Sequence, residues 1–321
     1  MWQSLNDNMK SLVTGAAGFI GSHCAEHLLS LGHTVIGIDN FSDYYNVALK
    51  QKNAETIKAK GGRIIVLDVK DKNAFSDLDN DFDYIFHFAA QPGLSKTATY
   101  EDYYSNNVVG TQNLVGFATR NPKLKLFVNI STSSVYGLQA TFPETATPKP
   151  ASDYGKTKLK AEQLVLKNSN AGYFKACSLR LYSVIGPRER PEKMYTKLID
   201  LGLKEKAFPL FEGSEKHLRS FTYVGDIIDG VVSVIGREVV VNNEIINLGT
   251  EAEYTTKQGI EAVEKAIGKT IKLELKPKRF GDQLRTKANI DKARRLLDYD
   301  PQTTLVQSVE AHVKWFKANG L

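Results

Sequence analysis

The most restrictive stretch of the chain is Gly15-Ala-Ala-Gly18-Phe-Ile-Gly21, because of what flanks it. Lys10 to Gly15 is a short, largely apolar run ending on glycine, the pattern of a buried strand. From Phe19 to Leu31, Ile20, Cys24, Leu28 and Leu31 recur at helical spacing, and Gly32 stops them. A strand therefore turns tightly into a helix whose first amides point outward, and a Cβ at these glycines would block whatever approaches them. Close helix packing without a ligand would explain the glycines alone equally well. Asp39 tips the balance. It ends a second strand, Thr34 to Ile38, about 20 residues past the glycines, where a carboxylate grips a ribose 2′-hydroxyl and repels a 2′-phosphate. The pattern predicts binding of NAD rather than NADP, at Gly15, Gly18, Phe19, Ile20, Gly21, Asp39 and Asn40.

A third strand, Arg63 to Leu67, ends at Asp68, which is expected to meet the adenine edge through its side chain or the following Val69 amide. Strand patterns at Tyr84 to Phe88, Leu124 to Ile130 and Lys175 to Leu181 follow, with helical stretches at 103–119 and 154–168 between them. This alternation predicts an α/β fold, a Rossmann-like doubly wound parallel sheet covered on both faces. Beyond Gly186 the rhythm breaks. Helical patterns around 195–201, 223–235, 255–267 and 302–317, with a short strand at 207–211, predict a smaller, interleaved carboxyl-terminal cap. The expected division is 1–182 for the cofactor domain, with 221–249 returning to it, and 183–220 plus 250–321 for the cap.

Composition excludes several alternatives. With 42 Lys and Arg against 36 Asp and Glu, the net charge of +6 is scattered, without the basic tract of a nucleic-acid binder. Two cysteines cannot make a disulfide framework and are expected as buried free thiols. No apolar run reaches the ~18 residues that span a bilayer, and the first residues are too polar for a signal peptide. The expectation is a soluble cytoplasmic protein that needs neither membrane nor metal.

Tyr154 and Lys158 stand four apart on a predicted helix and so share a face. A lysine ammonium and an oxidised nicotinamide would both favour phenolate over phenol, giving a general base for a sugar hydroxyl. Ser131-Thr132-Ser133-Ser134 follows a central strand directly, which places hydroxyls at the crevice where open α/β sheets bind ligands.

Together the segments VTGAAGFIGSH at 13–23, GIDNF at 37–41, FHFAAQ at 86–91, NNVVGT at 106–111, STSSVYG at 131–137 and YGKTK at 154–158 carry a family resemblance. In the cap it continues through LRLYSVIGPRERP at 179–191, RSFTYVGDI at 219–227 and KRFGDQ at 278–283. The chain resembles, over nearly its whole length, the extended short-chain dehydrogenases/reductases that act on nucleotide sugars, especially the UDP-sugar 4-epimerases. The resemblance implies NAD as cofactor and a UDP-sugar substrate. It also implies Thr132, Tyr154 and Lys158 as catalytic residues, and Ala89, Ala90 and Asn107 beside the cofactor. By position, Arg219 and Arg279 match the family's diphosphate-holding arginines, and Asp282 its late acidic residue. Helices like those at 103–119 and 154–168 pair across a two-fold axis in this family. Their apolar residues Val108, Leu114, Val115, Leu159, Leu164 and Val165 exceed one sheet-facing stripe, so a homodimer is expected.

The implied reaction is oxidation at C4 by NAD, rotation of the 4-ketose and return of the hydride to its opposite face. Related 4,6-dehydratases place Asp-Glu after the catalytic threonine, and UDP-glucuronate decarboxylases a glutamate at the second position. This chain has Ser133 and Ser134 there, leaving a simple epimerase. For the sugar, Gly186-Pro-Arg-Glu-Arg-Pro191 resembles the uronate epimerases, and Arg188 or Arg190 is expected at a C6 carboxylate with Ser133, Ser134 and Ser183. Lys96, where those enzymes carry an arginine, argues the other way and keeps UDP-glucose or UDP-N-acetylglucosamine open. A non-catalytic dinucleotide-binding sensor or scaffold is the remaining alternative.

Overall fold

The structure, a computed structural model, describes residues 9–93, 97–278 and 283–319. Its centre is a seven-stranded parallel sheet containing β1 (Lys10–Thr14), β2 (Thr34–Asp39), β3 (Arg63–Val66), β4 (Tyr84–His87) and β5 (Leu126–Thr132). The strands Ala176–Leu181 and Ile245–Leu248 complete it beyond β5, so the order runs from Ile245–Leu248 through Ala176–Leu181, β5, β4, β1 and β2 to β3. Every residue of β5 and of Ala176–Leu181 is buried, as strands covered on both faces must be. Chain direction along the sheet reverses between β1 and β4. A crevice opens beyond the carboxyl ends of strands at such a reversal, and that is where this fold binds ligands.

Helices cover both faces. On one side α1 (Phe19–Ser30) packs beside α2 (Val47–Ala59) and the later α7 (Val224–Val232). On the other lie α3 (Tyr100–Tyr104), α4 (Gly110–Ala118) and α5 (Asp153–Asn170). The expected continuous helix over 103–119 is interrupted by a π-helical turn at Ser105–Val109, a distortion that recurs at functional sites. It buries Asn107 to 1% exposure. The polar stretch after β2, for which the sequence pattern predicts no helix, forms α2. Its buried face is Lys50, Asn53, Ala54 and Ile57, so the helical period is carried half by polar residues and escapes a hydrophobic search. Asn53 donates from Nδ2 to the Ala17 carbonyl at 2.9 Å, which ties α2 to the glycine loop.

The remaining helices, α6 (Met194–Leu203), α8 (Thr256–Ile267), α9 (Asp291–Leu297) and α10 (Leu305–Ala318), come from the carboxyl-terminal third. Leu198, Ile199, Ile260, Val263, Val309 and Phe316 from α6, α8 and α10 form a separate apolar core beneath Phe208 and Phe221. Burying a side chain of that size contributes about 1.5–3 kcal/mol, so this cap has its own source of stability. By contrast Ala293 and Leu297 of α9 pack into the main core with Ile227 and Val231 of α7.

Candidate active site

A cavity of about 1530 Å³ lies between the sheet's carboxyl edge and the cap. Its floor begins at the glycine loop. Gly15 has φ +67°, and a Cβ there would sit 2.8 Å from the Ala89 nitrogen. At Gly21 a Cβ would stand 2.2 Å from the Gly15 carbonyl oxygen, so α1 can meet β1 this closely only through glycine. The resulting cradle, with Gly18, Phe19 and Ile20 at the start of α1, presents amides suited to a pyrophosphate.

At the end of β2 the Asp39 carboxylate accepts from the Ala17 amide at 3.1 Å and the Phe41 amide at 2.9 Å. Fixed in this way it faces the cavity, as do Asn40, Val69, Ala89 and Ala90. These residues fit NAD. Asp68 does not line the cavity. Its carboxylate accepts from Asn40 Nδ2 at 3.1 Å and the Lys70 amide at 2.9 Å, which orients Asn40, while Val69 of the expected pair lines the cavity. Asn107 also stands behind the wall. Its Oδ1 accepts from the Gln91 amide at 2.7 Å and its Nδ2 donates to Thr157 Oγ1 at 3.0 Å, tying the loop after β4 to α5.

Ser152 caps α5 by accepting from the Gly155 amide at 3.1 Å, and Gly155 lets the helix approach the chain leaving β5, where a Cβ would meet the Ser134 oxygen at 2.7 Å. That approach sets Thr132 beside Tyr154, close enough for its hydroxyl to act on the phenol. Gly93, which sequence reasoning missed, lies flat on the Tyr154 ring, and a Cβ there would be 2.7 Å from Cδ1. Burial pushes the Tyr154 phenol above its ordinary pKa, opposed by the neighbouring Thr132 hydroxyl and the charge of Arg190. Lys158 is 3% exposed, and burial lowers its ammonium to about 8 against the opposing charge of Glu162.

Ser133, Ser134 and Ser183 line the same cavity with Thr132, Tyr154 and Lys158. So do Arg190 and Arg219, whereas Arg188 does not. Arg188 turns back onto α1, pairing with Glu26 and donating to Ser22 Oγ at 3.1 Å. Of the two arginines expected at a sugar carboxylate, Arg190 is the one that lines the cavity. Arg190 is ion-paired with Glu192 at 2.7 Å, and its guanidinium lies 5.5 Å from the Tyr44 ring centroid. Arg279, Asp282 and Lys96 lie outside the described residues.

The cap brings further groups that no motif signalled. Lys193, Lys197 and Lys276 line the cavity as Arg219 does, Lys193 within electrostatic reach of Arg219 and Lys276 paired with Glu274, so the cap lends the cavity cations suited to a diphosphate. Glu189 is 2% exposed, and burial raises its carboxyl to about 6. One of its oxygens accepts from the Thr196 amide at 3.1 Å, near the start of α6, and Lys193 lies beside it. The dense charge of the 188–193 segment was visible in the sequence, but not which charges face inward. Among the described residues no group of His, Cys, Asp and Glu could hold a metal, and no helix is long and apolar enough to cross a membrane.

Comparison with known proteins agrees with this geometry. Residues 11–249 match the NAD dependent epimerase/dehydratase family. The chain is 33% identical over 314 residues to the uncharacterized UDP-glucose epimerase YtcB of Bacillus subtilis, covering 97% of this chain and 98% of that one. It is 30% identical over 333 residues to UDP-glucuronate 4-epimerase 4 of Arabidopsis thaliana, covering 98% of this chain and 76% of the relative. Its fold is similar to a crystal structure of a UDP-glucuronic acid 4-epimerase variant from Bacillus cereus, bound to UDP-4-deoxy-4-fluoro-glucuronic acid and NAD. There the TM-score is 0.91 at 34% identity, over 97% of this chain and 100% of that one. The chain belongs to the NAD dependent epimerase/dehydratase family, within the extended short-chain dehydrogenases/reductases. NAD is its cofactor, and its activity is that of an NAD-dependent epimerase.

Proposed function

We propose that this enzyme interconverts the C4 epimers of a UDP-sugar, with UDP-glucuronate as substrate and UDP-galacturonate as product. The observation that carries the reading is the set of short hydroxyls, Ser133, Ser134 and Ser183, sharing the cavity with Thr132 and Tyr154. Side chains of this length donate to a C6 carboxylate without opposing its charge, and each such bond contributes about 1.5–3 kcal/mol. The glutamate that a decarboxylase has is absent from position 134, and the Asp-Glu pair of a dehydratase from 133 and 134. The similarity to UDP-glucuronate 4-epimerases supports the same substrate.

In this reading Lys193, Arg219 and Lys276 draw in the diphosphate, while Thr132 holds the reacting oxygen against Tyr154. NAD, held by the glycine cradle and Asp39, would supply a reversible hydride acceptor, so the reaction needs no net oxidation. Tyr154 takes the 4-hydroxyl proton as the ketone forms and gives it back to the other epimer. The serines keep the carboxylate of the 4-keto uronate, a β-keto acid, from adopting the out-of-plane orientation that expels carbon dioxide. A second reading, a neutral hexose, is favoured by the pairing of Arg190 with Glu192, which occupies the arginine expected at the carboxylate. Incubation with UDP-glucuronate, UDP-glucose and UDP-N-acetylglucosamine separately, with products read by nuclear magnetic resonance, separates the two.

We place this activity in a homodimer joined through α4 and α5, a narrower contact than the sequence suggested. Val108, Leu114, Val115 and Val165 are buried in the chain's own core, leaving Leu159 and Leu164 of the six partly exposed. Light scattering that gives the mass of one 35.7 kDa chain at micromolar concentration would contradict it.

A further inference from the structure

The segment Gly186–Arg190 crosses from the cap to the cofactor domain and is fastened on two sides of the glycine loop. On the first side, His23 of α1 is bonded to the Pro187 carbonyl at 2.9 Å, and Arg188 donates to Ser22 Oγ at 3.1 Å while pairing with Glu26. Burial and the charge of Arg188 lower His23 to about 4, so it is neutral at pH 7 and its Nε2–H donates to that carbonyl. Glu26 is further held by Lys60 Nζ at 2.6 Å. On the second side, Arg190 lies over Tyr44, in the loop that follows Asp39. Asp39 and Arg190 both act electrostatically on half-buried Tyr45 and buried Lys50 of the same region.

Glu189 and Arg190 of this segment line the cavity with Gly18 and Phe19 at the start of α1 and Asp39 at the end of β2, where the adenosine diphosphate half of NAD would be received, while Gly186, Pro187 and Arg188 do not line it. The backbone of the segment is held against its own preference. Arg188 has φ +71°, a left-handed conformation uncommon for a residue with a side chain, and it persists only where surrounding contacts over-determine it. At Gly186, with φ +135°, a Cβ would stand 2.9 Å from Val224 Cγ1.

We infer that residues 186–190 form a strap that retains the cofactor, with Arg188 as its fastening and positioning residue. Release of NAD then requires the Arg188–Glu26 and His23–Pro187 contacts to open first. This suits a reaction in which the cofactor is regenerated in place. The inference rests on NAD use and is independent of the sugar.

The test is the rate at which the NAD-loaded enzyme, free of sugar, releases its cofactor into an excess of an NAD-consuming dehydrogenase. Arg188→Gly removes the side chain and suits the positive φ, so folding strain is not added. It is expected to release NAD at least tenfold faster than the wild type, and Glu26→Gln to do likewise, with the apo-protein melting temperature held within a few degrees. Arg188→Lys, which keeps a cation for Glu26, is expected to stay within threefold of the wild type. Unchanged release from Arg188→Gly and Glu26→Gln would overturn the strap, as would release equally fast from Arg188→Gly and Arg188→Lys.

Discussion

Lys158 and Glu162 stand one helical turn apart on α5, and both are buried, at 3% and 1% exposure. Glu162 is fixed by Arg180, which donates from Nε at 3.0 Å and Nη2 at 2.6 Å, and by Ser178 Oγ at 3.1 Å. Its charge opposes the burial that lowers Lys158 to about 8, while His87, which also faces the lysine, is kept neutral by burial with a pKa of about 3. The ammonium is present below pH 8 and lost above it. Accordingly, kcat/KM is expected to fall as pH rises through about 8, and Glu162→Gln to move that limb lower. Glu162→Gln also half-strips a buried arginine, so a stability loss of about 3–5 kcal/mol is expected alongside. A pH profile that Glu162→Gln leaves in place would show that its field does not govern Lys158.

Tyr154→Phe removes the oxygen that moves the proton and leaves the ring on Gly93 in place. Turnover is expected to fall by about 10²–10⁴-fold. NAD affinity, measured by calorimetry, should remain within a few-fold of the wild type. Near-normal turnover would remove this residue from the mechanism.

The glycine cradle makes a steric prediction. Gly21→Ala places a methyl 2.2 Å from a backbone oxygen that cannot swing away, so α1 must shift and NAD binding should be lost. Gly116→Ala in α4 is the control, with nothing within 4 Å of the new methyl. Melting curves should show that variant unchanged or more stable by about 0.5–1 kcal/mol.

Acid should weaken the fold through histidine. Burial is the leading cause that lowers His23 to about 4, and it takes His87 and His312 to about 3. Below their ordinary value near 6.5 the unfolded chain takes up protons that the folded chain refuses, so stability falls as pH drops from 6.5 toward 4. Each histidine contributes a slope of about 1.4 kcal/mol per pH unit across that window. Glu189 acts the other way between 6 and 4.5, since its raised pKa lets the folded state bind the proton first. Denaturant titrations at pH 7 and pH 5 should therefore give a lower unfolding free energy at pH 5, and equal values would contradict the burial of these rings.

Much of this site was legible because it sits where a strand, a turn and a helix follow one another. Asp39 reads directly, since its position at the end of β2 fixes its carboxylate whatever the cap does. Arg188 did not. Two arginines two positions apart look equivalent in sequence, but with a positive φ at Arg188 one turns to α1 and the other into the cavity. Lys193 and Glu189 escaped for a related reason: whether a charge in a dense polar run faces inward depends on the cap's packing, which local periodicity does not encode. The helix α2 was hidden by its polar contacts, with Lys50 donating to the Ser42 carbonyl at 2.9 Å and Asn53 to Ala17.

The most direct test of the proposed chemistry is nuclear magnetic resonance of UDP-glucuronate incubated with the NAD-loaded enzyme. The account predicts that UDP-galacturonate accumulates to equilibrium without net NADH and without a pentose product. Turnover of UDP-glucose with UDP-glucuronate untouched would contradict it, and so would a UDP-pentose as the main product, because the hydroxyls at Ser133, Ser134 and Ser183 would then not be restraining a carboxylate.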